Sequence, residues 1–151
     1  MEKLSGKTAL VTGSTDVGRL VARELGQAGA RVLVHGRHAN RGARVVADIE
    51  ASGGAADFLA ANLSALAEVR RLADATQTTV DRLDVLINNA GIGTAGPRQS
   101  SAEGFELRFA VNYLAGFLLT LQALARKPRI HSPASGKGGH ESGSTIGPVR
   151  R

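Results

Sequence analysis

Short apolar runs alternate along the chain with segments in which apolar residues recur every three or four positions. Four of the runs have the length and the continuous apolar character of strands buried on both faces. They are Thr8–Thr12, Arg31–His35, Asp57–Ala60 and Asp84–Asn88. Strands that alternate with helices through short connections form a parallel sheet with helices on both faces. The pattern therefore predicts an α/β fold with a doubly wound parallel sheet of about four strands.

Three helices are predicted between these strands, and a fourth follows the last strand. The first begins at about Gly18, and the third follows Ser64, whose hydroxyl suits an N-cap. The fourth is the longest and is predicted from Ala102 to about Ala125. Its apolar stripe should face the sheet and consists of Leu107, Val111, Leu114, Leu118 and Leu121. A second apolar edge consists of Phe105, Phe109 and Tyr113.

The apolar run 109–125 is shorter than a bilayer requires and is interrupted by polar residues. We interpret it as a buried helix and expect no contact with a membrane. The sequence has no Cys, which excludes a disulfide framework and a thiolate metal site and fits a reducing, cytoplasmic location. Residues 1–7 lack the apolar core of a secretory signal. His131 and His140 have no clustered partners, so no metal site is predicted.

The composition changes near Ala125. Of the last 27 residues, 12 are Gly, Pro or Ser and five are apolar, so this stretch cannot offset the entropy of ordering. It also carries +5 of the net charge of +6. We expect a folded domain over residues 1–125 and a disordered basic tail over 126–151. Because the body has no basic face, a nucleic-acid function is not expected.

A glycine-rich turn joins the first strand to the first helix over residues 12–19. A turn at this place directs backbone N–H groups and the positive helix end at a ligand above the sheet, which suits a phosphate. Any tight strand–helix connection also uses glycine, so the turn alone leaves a purely structural role open.

The second strand ends in His35-Gly36-Arg37-His38, with no acidic residue before Asp48. An NAD site places a carboxylate here to bind the ribose 2′-OH. Arg37 can pair instead with the 2′-phosphate of NADP, an interaction that a carboxylate would oppose. A solvated loop arginine is the alternative. The sequence thus favours NADP(H) over NAD(H).

Three motifs in order resemble the short-chain dehydrogenase/reductase family. They are Leu4-Ser5-Gly6-Lys7 with Leu10-Val11-Thr12-Gly13, Asn88-Asn89-Ala90-Gly91, and Phe109-Ala110-Val111-Asn112. The resemblance covers residues 3 to 124, and the segment 104–114 is most similar to the retinol-dehydrogenase-like branch, whose substrates are often apolar carbonyls or alcohols. It implies a Rossmann-like fold and hydride transfer between a nicotinamide and a small-molecule carbonyl or alcohol.

The resemblance also implies residue roles. Asn62 would contact the adenine, although a cap shared with Ser64 is an equal alternative. Asn112 matches the family's catalytic Asn, whose helical carbonyl holds a water of the proton relay. The implied cofactor-binding residues are Thr12, Gly13, Ser14, Gly18, Arg37, Asn62, Asn89, Ala90 and Gly91.

Two features depart from the family pattern. The family loop reads Thr-Gly-x-x-x-Gly-x-Gly, and the simplest alignment here omits the middle glycine, which should weaken phosphate binding. Family catalysis uses a Ser and a Tyr-x-x-x-Lys pair, but Tyr113 is the sole tyrosine and is followed four positions later by Phe117. Ser135 stands near the place of the family Ser, but Pro133 would interrupt a central strand, so we interpret Ser135 as a tail residue.

Three hypotheses remain open on the sequence alone. The first is an NADP-dependent oxidoreductase that is catalytically incomplete in this chain. The second is a non-catalytic NADP(H)-binding module, and the third is a truncated or frame-shifted dehydrogenase product. Because the partners that the family fold places beside them are missing, the fourth strand should lie at a sheet edge beside an exposed aromatic edge, so self-association is expected, whereas a stable monomer would favour the binding module.

Overall fold

The structure, a computed structural model, describes residues 4–93 and 95–125. The strands are β1 Thr8–Thr12, β2 Arg31–Gly36, β3 Ala55–Ala60 and β4 Val85–Ile87. They form one parallel sheet in the order β3-β2-β1-β4. The chain moves outward from β1 to β3 and then returns to place β4 on the other side of β1. In open α/β sheets a crevice forms where the strand order reverses in this way.

Four helices cover the two faces of the sheet. They are α1 Asp16–Gln27, α2 Ala39–Ala51, α3 Leu66–Thr79 and α4 Leu107–Leu124. The last of these contains a π-helical segment at Ala110–Leu114. The predicted α/β class with a doubly wound parallel sheet is therefore confirmed. The tail predicted for residues 126–151, which includes Ser135, lies outside the described residues.

The core consists of two clusters, one on each face of the sheet. Successive strand residues point to opposite faces, so neighbouring positions in β1 enter different clusters. Leu10 packs with Leu33, Leu72 and Leu119 beneath α3 and α4. The other cluster, beneath α1 and α2, contains Val11, Val32, Val34, Val45 and Ile49. Burial on both faces explains why the strands read as continuous apolar runs.

The predicted strands are confirmed with small changes at their ends. β3 begins at Ala55, two residues before the predicted start, and β4 is limited to three residues. β4 lies at the edge of the sheet that the described residues form, as the sequence analysis expected.

Three helix starts differ from the prediction. α1 begins at Asp16, two residues before the predicted start at about Gly18. Ser64 does not cap α3, because its hydroxyl donates to Asn62 Oδ1 at 2.9 Å and the N-cap residue is Ala65. The first amide of α3, at Leu66, donates instead to Glu103 Oε1 at 2.7 Å. A carboxylate from a distant loop therefore takes the capping role that sequence proximity assigned to the serine hydroxyl.

The long helix begins at Leu107, so the predicted start at Ala102 is wrong. Glu106 is its N-cap residue, and the Glu106 carboxylate accepts the Phe109 N–H at 2.8 Å. This backbone hydrogen bond is the main reason that the pKa of Glu106 is lowered. The preceding segment turns through Gly104, whose φ is +83°.

The predicted stripe of α4 is only partly correct. The buried positions are Ala110, Ala115 and Leu119, whereas Leu121 is 47% exposed. The π-helical segment changes the helical phase, so a stripe drawn at constant spacing leaves the sheet side. The second apolar edge is exposed along Phe105, Phe109 and Tyr113.

The interpretation of the α4 segment as a buried helix is wrong for most of its length. Only 17% of the 18 residues of Leu107–Leu124 are buried, at a mean hydropathy of 1.3. By length and composition alone this is the one helix of the described chain that could cross a membrane, which is weak support for a span because core helices of soluble proteins meet the same criteria.

Candidate cofactor site

A cleft of about 440 Å³ opens at the carboxyl ends of the strands. Each strand contributes the loop that follows it. The lining residues include 13–17 after β1, 36–38 and 41 after β2, 62–64 after β3 and 89–92 after β4. Leu107 and Val111 of α4 close one side. The cleft thus occupies the crevice at which the strand order reverses, where ligands bind in open α/β sheets.

Two glycines allow the start of α1 to pack against the loop after β4. A Cβ on Gly13 would lie 3.0 Å from Asn89 Nδ2 and 3.1 Å from Ala90 Cα, and Gly13 has a φ of +85°. A Cβ on Gly18 would lie 1.8 Å from the Gly13 carbonyl oxygen. No larger residue fits at Gly18 without movement of the backbone. Both glycines therefore fix the shape of the turn.

Asp16 is the one residue other than glycine in the described chain with a positive φ, at 45°. It is the first residue of α1 and lines the cleft. Left-handed backbone is costly for residues with a Cβ, although Asp tolerates it better than most. The shortened loop thus completes its turn through a strained aspartate, which places a carboxylate beside the helix N-terminus.

The N-terminus of α1 has free donors. The backbone N–H groups of Asp16 and Val17 donate to no described residue, and both residues line the cleft. Gly18 and Arg19 turn their N–H groups back to the Thr15 carbonyl oxygen, at 3.0 and 3.5 Å. Free amides and the positive helix end together form a site that suits a phosphate, which the Asp16 carboxylate partly opposes.

Thr12 joins β1 to the loop after β4. Its buried hydroxyl donates to the Ile87 carbonyl oxygen at 3.2 Å and accepts the N–H groups of Asn89 and Ala90 at 3.0 and 3.1 Å. The Asn89 amide donates to the Thr12 carbonyl oxygen at 3.0 Å. Thr12 and Gly18 do not line the cleft but lie behind its wall. At this position they support the walls of the site, and their direct contact with a cofactor stays a prediction.

The end of the cleft after β2 is basic. Arg37, His38 and Arg41 line it, and neither arginine forms an ion pair with any residue in the described ranges. The sequence analysis identified Arg37 but missed Arg41. Arg41 follows Arg37 by four positions, and residues at this spacing share one face at the start of a helix, so the spacing could have indicated Arg41.

Asn62 lines the cleft, and its side-chain oxygen is engaged locally. Asn62 Oδ1 accepts the Ser64 N–H at 3.1 Å and the Ser64 hydroxyl at 2.9 Å. This local turn pairs Asn62 with Ser64, but it is not the helix cap predicted as the alternative to an adenine contact, because the N-cap residue of α3 is Ala65. The other predicted residues that line the cleft are Gly13, Ser14, Arg37, Asn89, Ala90 and Gly91.

Asn112 lies in the π-helical segment of α4 and holds the loop after β4. Its amide donates to the Ile92 carbonyl oxygen at 3.0 Å, and its oxygen accepts the Ile92 N–H at 2.8 Å. Within this segment the Ala115 N–H bonds the Ala110 carbonyl oxygen, one residue further back than in an α-helix. Such π-bulges are frequent at functional sites. The asparagine and the bulge together set the position of the cleft wall.

Tyr113 does not line the cleft. It is 59% exposed and stacks between Phe109 and Phe117, with ring centroids 5.4 and 6.3 Å away. The sole tyrosine therefore lies on the outer face of α4 and cannot serve a ligand in the cleft as a proton donor.

His35 is a cleft residue that the sequence analysis did not select. It is 2% exposed, and burial lowers the pKa of its imidazole while a hydrogen bond to Ala61 opposes this in part. A histidine within an apolar strand pattern is typical of a core residue, so no sequence pattern indicated that His35 lines the cleft.

The family model of the short chain dehydrogenases matches residues 7–137. The chain belongs to the short-chain dehydrogenase/reductase family. It is 43% identical over 122 residues to polyprenol dehydrogenase of Mus musculus, which covers 79% of this chain and 36% of that protein. It is 38% identical over 121 residues to retinol dehydrogenase 11 of Homo sapiens, which covers 78% of this chain and 38% of that protein. These relatives confirm the predicted retinol-dehydrogenase-like branch of the family.

Solved short-chain dehydrogenase/reductase structures share the fold. A metagenomic short-chain oxidoreductase in complex with NADP has a TM-score of 0.72 at 36% identity, which covers 80% of this chain and 56% of that one. The landomycin C-6 ketoreductase LanV, with bound NADP and rabelomycin, has a TM-score of 0.70 at 39% identity and covers 81% of this chain and 54% of that one. This family member spans about a third of the length of the curated relatives that it matches.

Proposed function

We propose that this chain binds NADP(H) in the cleft and is the cofactor-binding part of an oxidoreductase acting on a carbonyl or alcohol. The observation that carries the proposal is the basic end of the cleft after β2. Arg37 and Arg41 line it without an acidic partner among the described residues. Two similar proteins of solved structure are described as NADP complexes, which supports the same cofactor class here.

The donor chemistry of the cleft fits each part of the cofactor. Arg37 and Arg41 would hold the 2′-phosphate through charge-assisted hydrogen bonds. The free amides of Asp16 and Val17 would receive the diphosphate. Asn62 lies where it could reach the adenine once its turn with Ser64 adjusts. The wall formed by Asn89, Ala90 and Gly91 would support the nicotinamide ribose.

Bound NADPH would supply the hydride, while this chain's residues would bind and orient it. Asn112 would contribute by holding the Ile92 backbone, and hence the wall after β4, in place. The sequence contains no Tyr-x-x-x-Lys pair, and Tyr113 faces away from the cleft. We therefore propose that the chain as given binds cofactor but does not complete carbonyl reduction.

The preference for NADPH tests this proposal. Calorimetric titration should show tighter binding of NADPH than of NADH, and Arg37→Asp should narrow the difference by roughly tenfold or more, the size of a lost charge-assisted hydrogen bond. Arg44→Asp, on the exposed side of α2, makes the same change in net charge outside the cleft and should leave the preference intact. Equal affinities of the unmodified chain for both cofactors would refute the assignment.

A non-catalytic NADP(H)-binding module is the second candidate function, favoured by the missing Tyr-x-x-x-Lys pair. Both candidates predict no carbonyl reduction by this chain, so sedimentation and thermal unfolding distinguish them. A monomer that unfolds in one cooperative transition would support the binding module. Oxidation of NADPH above the rate without protein, retained in Tyr113→Phe, would contradict both and show that another group acts as the acid.

A further inference from the structure

The buried His35 connects the loops that surround the cleft. It is the last residue but one of β2. His35 Nε2 lies 3.1 Å from the Ala61 carbonyl oxygen, next to Asn62 in the loop after β3. His35 Nδ1 lies 3.4 Å from the Gly13 amide nitrogen, in the loop after β1. That amide also donates to the His35 carbonyl oxygen at 3.0 Å.

These partners determine the protonation state of the ring. The Ala61 carbonyl can only accept, so Nε2 carries the proton and donates it. The Gly13 N–H can only donate, so Nδ1 presents its lone pair. A second proton, on Nδ1, would place two donors against each other in a buried position. Burial lowers the pKa of His35, in agreement with a neutral ring in the folded chain.

The role of Gly13 makes this arrangement relevant to binding. A Cβ on Gly13 would contact Asn89 and Ala90, so the Gly13 backbone is packed directly against the wall after β4. A displacement of Gly13 would therefore move the turn that offers the Asp16 and Val17 amides. The contact at Ala61, in which Nε2 donates in either protonation state, holds the loop that carries Asn62.

We propose that neutral His35 is a positioning residue that holds the loops after β1 and β3 in their cofactor-binding arrangement, and that a second proton, on Nδ1, loosens the loop after β1 and weakens NADP(H) binding. This proposal rests on the proposed function. The other charged or titratable groups that line the cleft are Asp16 on the turn after β1, and Arg37, His38 and Arg41 after β2. The loops after β3 and β4 contribute none to that lining.

Two substitutions separate the parts of this role. In His35→Asn the side-chain oxygen can accept the Gly13 N–H but cannot titrate. His35→Val keeps a strand-forming, apolar residue and loses both contacts. The dissociation constant of NADPH is measured for each over a pH series that starts at about pH 8 and passes below the His35 pKa found by NMR in the free chain, because burial lowers that pKa below its ordinary value. His38→Asn removes the other histidine of the cleft and shows which ring causes any pH dependence.

At the higher pH the Asn variant should bind nearly as well as the unmodified chain, because it keeps the hydrogen bond to Gly13. The Val variant should bind roughly fivefold more weakly than the Asn variant, the size of the one hydrogen bond to Gly13 in which the two differ. On acidification the unmodified chain and His38→Asn should lose several-fold more affinity than His35→Asn. The 2′-phosphate also titrates, with a pKa of about 6 for a phosphate monoester, but it contributes equally to all four proteins. Equal losses in the unmodified chain and His35→Asn would overturn the proposal.

A second measurement does not depend on the cofactor. Long-range nitrogen–proton NMR spectra of the free chain should show His35 as the neutral Nε2–H tautomer at neutral pH, with a pKa below the ordinary value. The Gly13 amide resonance should shift with the same midpoint. A Gly13 amide that ignores the titration of His35 would overturn the positioning role even if NADPH binds. Absence of NADPH binding at about pH 8 would refute the proposed function as well.

Discussion

Substitutions of the strained Asp16, at the start of α1, should change the free energy of unfolding and the affinity for NADPH independently of each other. Asp16 combines a left-handed backbone with a carboxylate that lines the cleft. Replacement by Gly removes both the strain and the charge. Replacement by Asn removes only the charge, because Asn also tolerates the left-handed conformation. Replacement by Ala removes the charge and increases the strain.

The magnitudes follow from the conformation and the charge. Loss of an acidic residue from the first turn of α1 costs about 0.3–1 kcal/mol in each variant. Left-handed backbone costs an ordinary residue about 1–2 kcal/mol, so Asp16→Ala should be the least stable of the three. In Asp16→Gly the relief of strain nearly cancels the combined cost of the lost charge and of the greater chain entropy that Gly gives the unfolded state. The free energy of unfolding should be highest in Asp16→Gly, lower in Asp16→Asn and lowest in Asp16→Ala.

Binding should follow the charge and not the strain. A carboxylate that shares a half-solvated cleft with the diphosphate repels it by about 1 kcal/mol. NADPH should therefore bind roughly fivefold more tightly to both Asp16→Asn and Asp16→Gly. Urea unfolding gives the stabilities, and calorimetry gives the dissociation constants. An unchanged dissociation constant in Asp16→Asn would show that the carboxylate does not face the phosphates, and the reasoning about the turn would fail.

Three further predictions concern stability and association. Glu103→Ala removes the side chain that caps α3 and should lower the free energy of unfolding by about 1 kcal/mol. The control Glu50→Ala, on the exposed surface of α2, should leave the free energy of unfolding unchanged, and equal losses in the two variants would contradict the capping role. The pKa of Asp84 is lowered chiefly by the hydrogen bond from the Thr8 N–H, so the ionised carboxylate stabilises the fold near neutral pH. Asp84→Asn should therefore lower the free energy of unfolding near neutral pH, and this loss should disappear as the pH falls below about 4. A loss that is independent of pH would contradict this prediction. Tyr113→Ser should weaken self-association in sedimentation experiments, because it interrupts the exposed aromatic row of α4; a monomeric unmodified chain would refute the expected association.

The fold could be predicted because its signals are local. Strands buried on both faces must be continuously apolar, and such runs are visible in the sequence. The start of α4 could not be placed as easily, because it depends on which carboxylate accepts the Phe109 N–H. The phase of α4 was misjudged because nothing in a regular helical pattern marks a π-helical segment. The cytoplasmic location, the domain boundary at residue 125 and the state of the tail remain predictions.

The site was predictable where chemistry follows directly from position in the chain. Arg37 could be found because it directly follows a strand, at a position where the sign of the charge distinguishes NADP from NAD. The strain at Asp16 was hidden, since a shortened loop shows that a glycine is missing but not which residue takes the left-handed conformation. The role of His35 was also hidden, because its two partners are backbone atoms that the sequence does not display.

The proposal that NADP(H) binds in the cleft is tested most directly by locating the segments that bound NADPH protects. Amide hydrogen exchange of the chain with and without NADPH should show protection in four separate segments, at residues 13–17, 36–41, 62–64 and 89–92. The exposed outer face of α4 should be unaffected. Protection confined to α4, or no protection at saturating NADPH, would contradict the account.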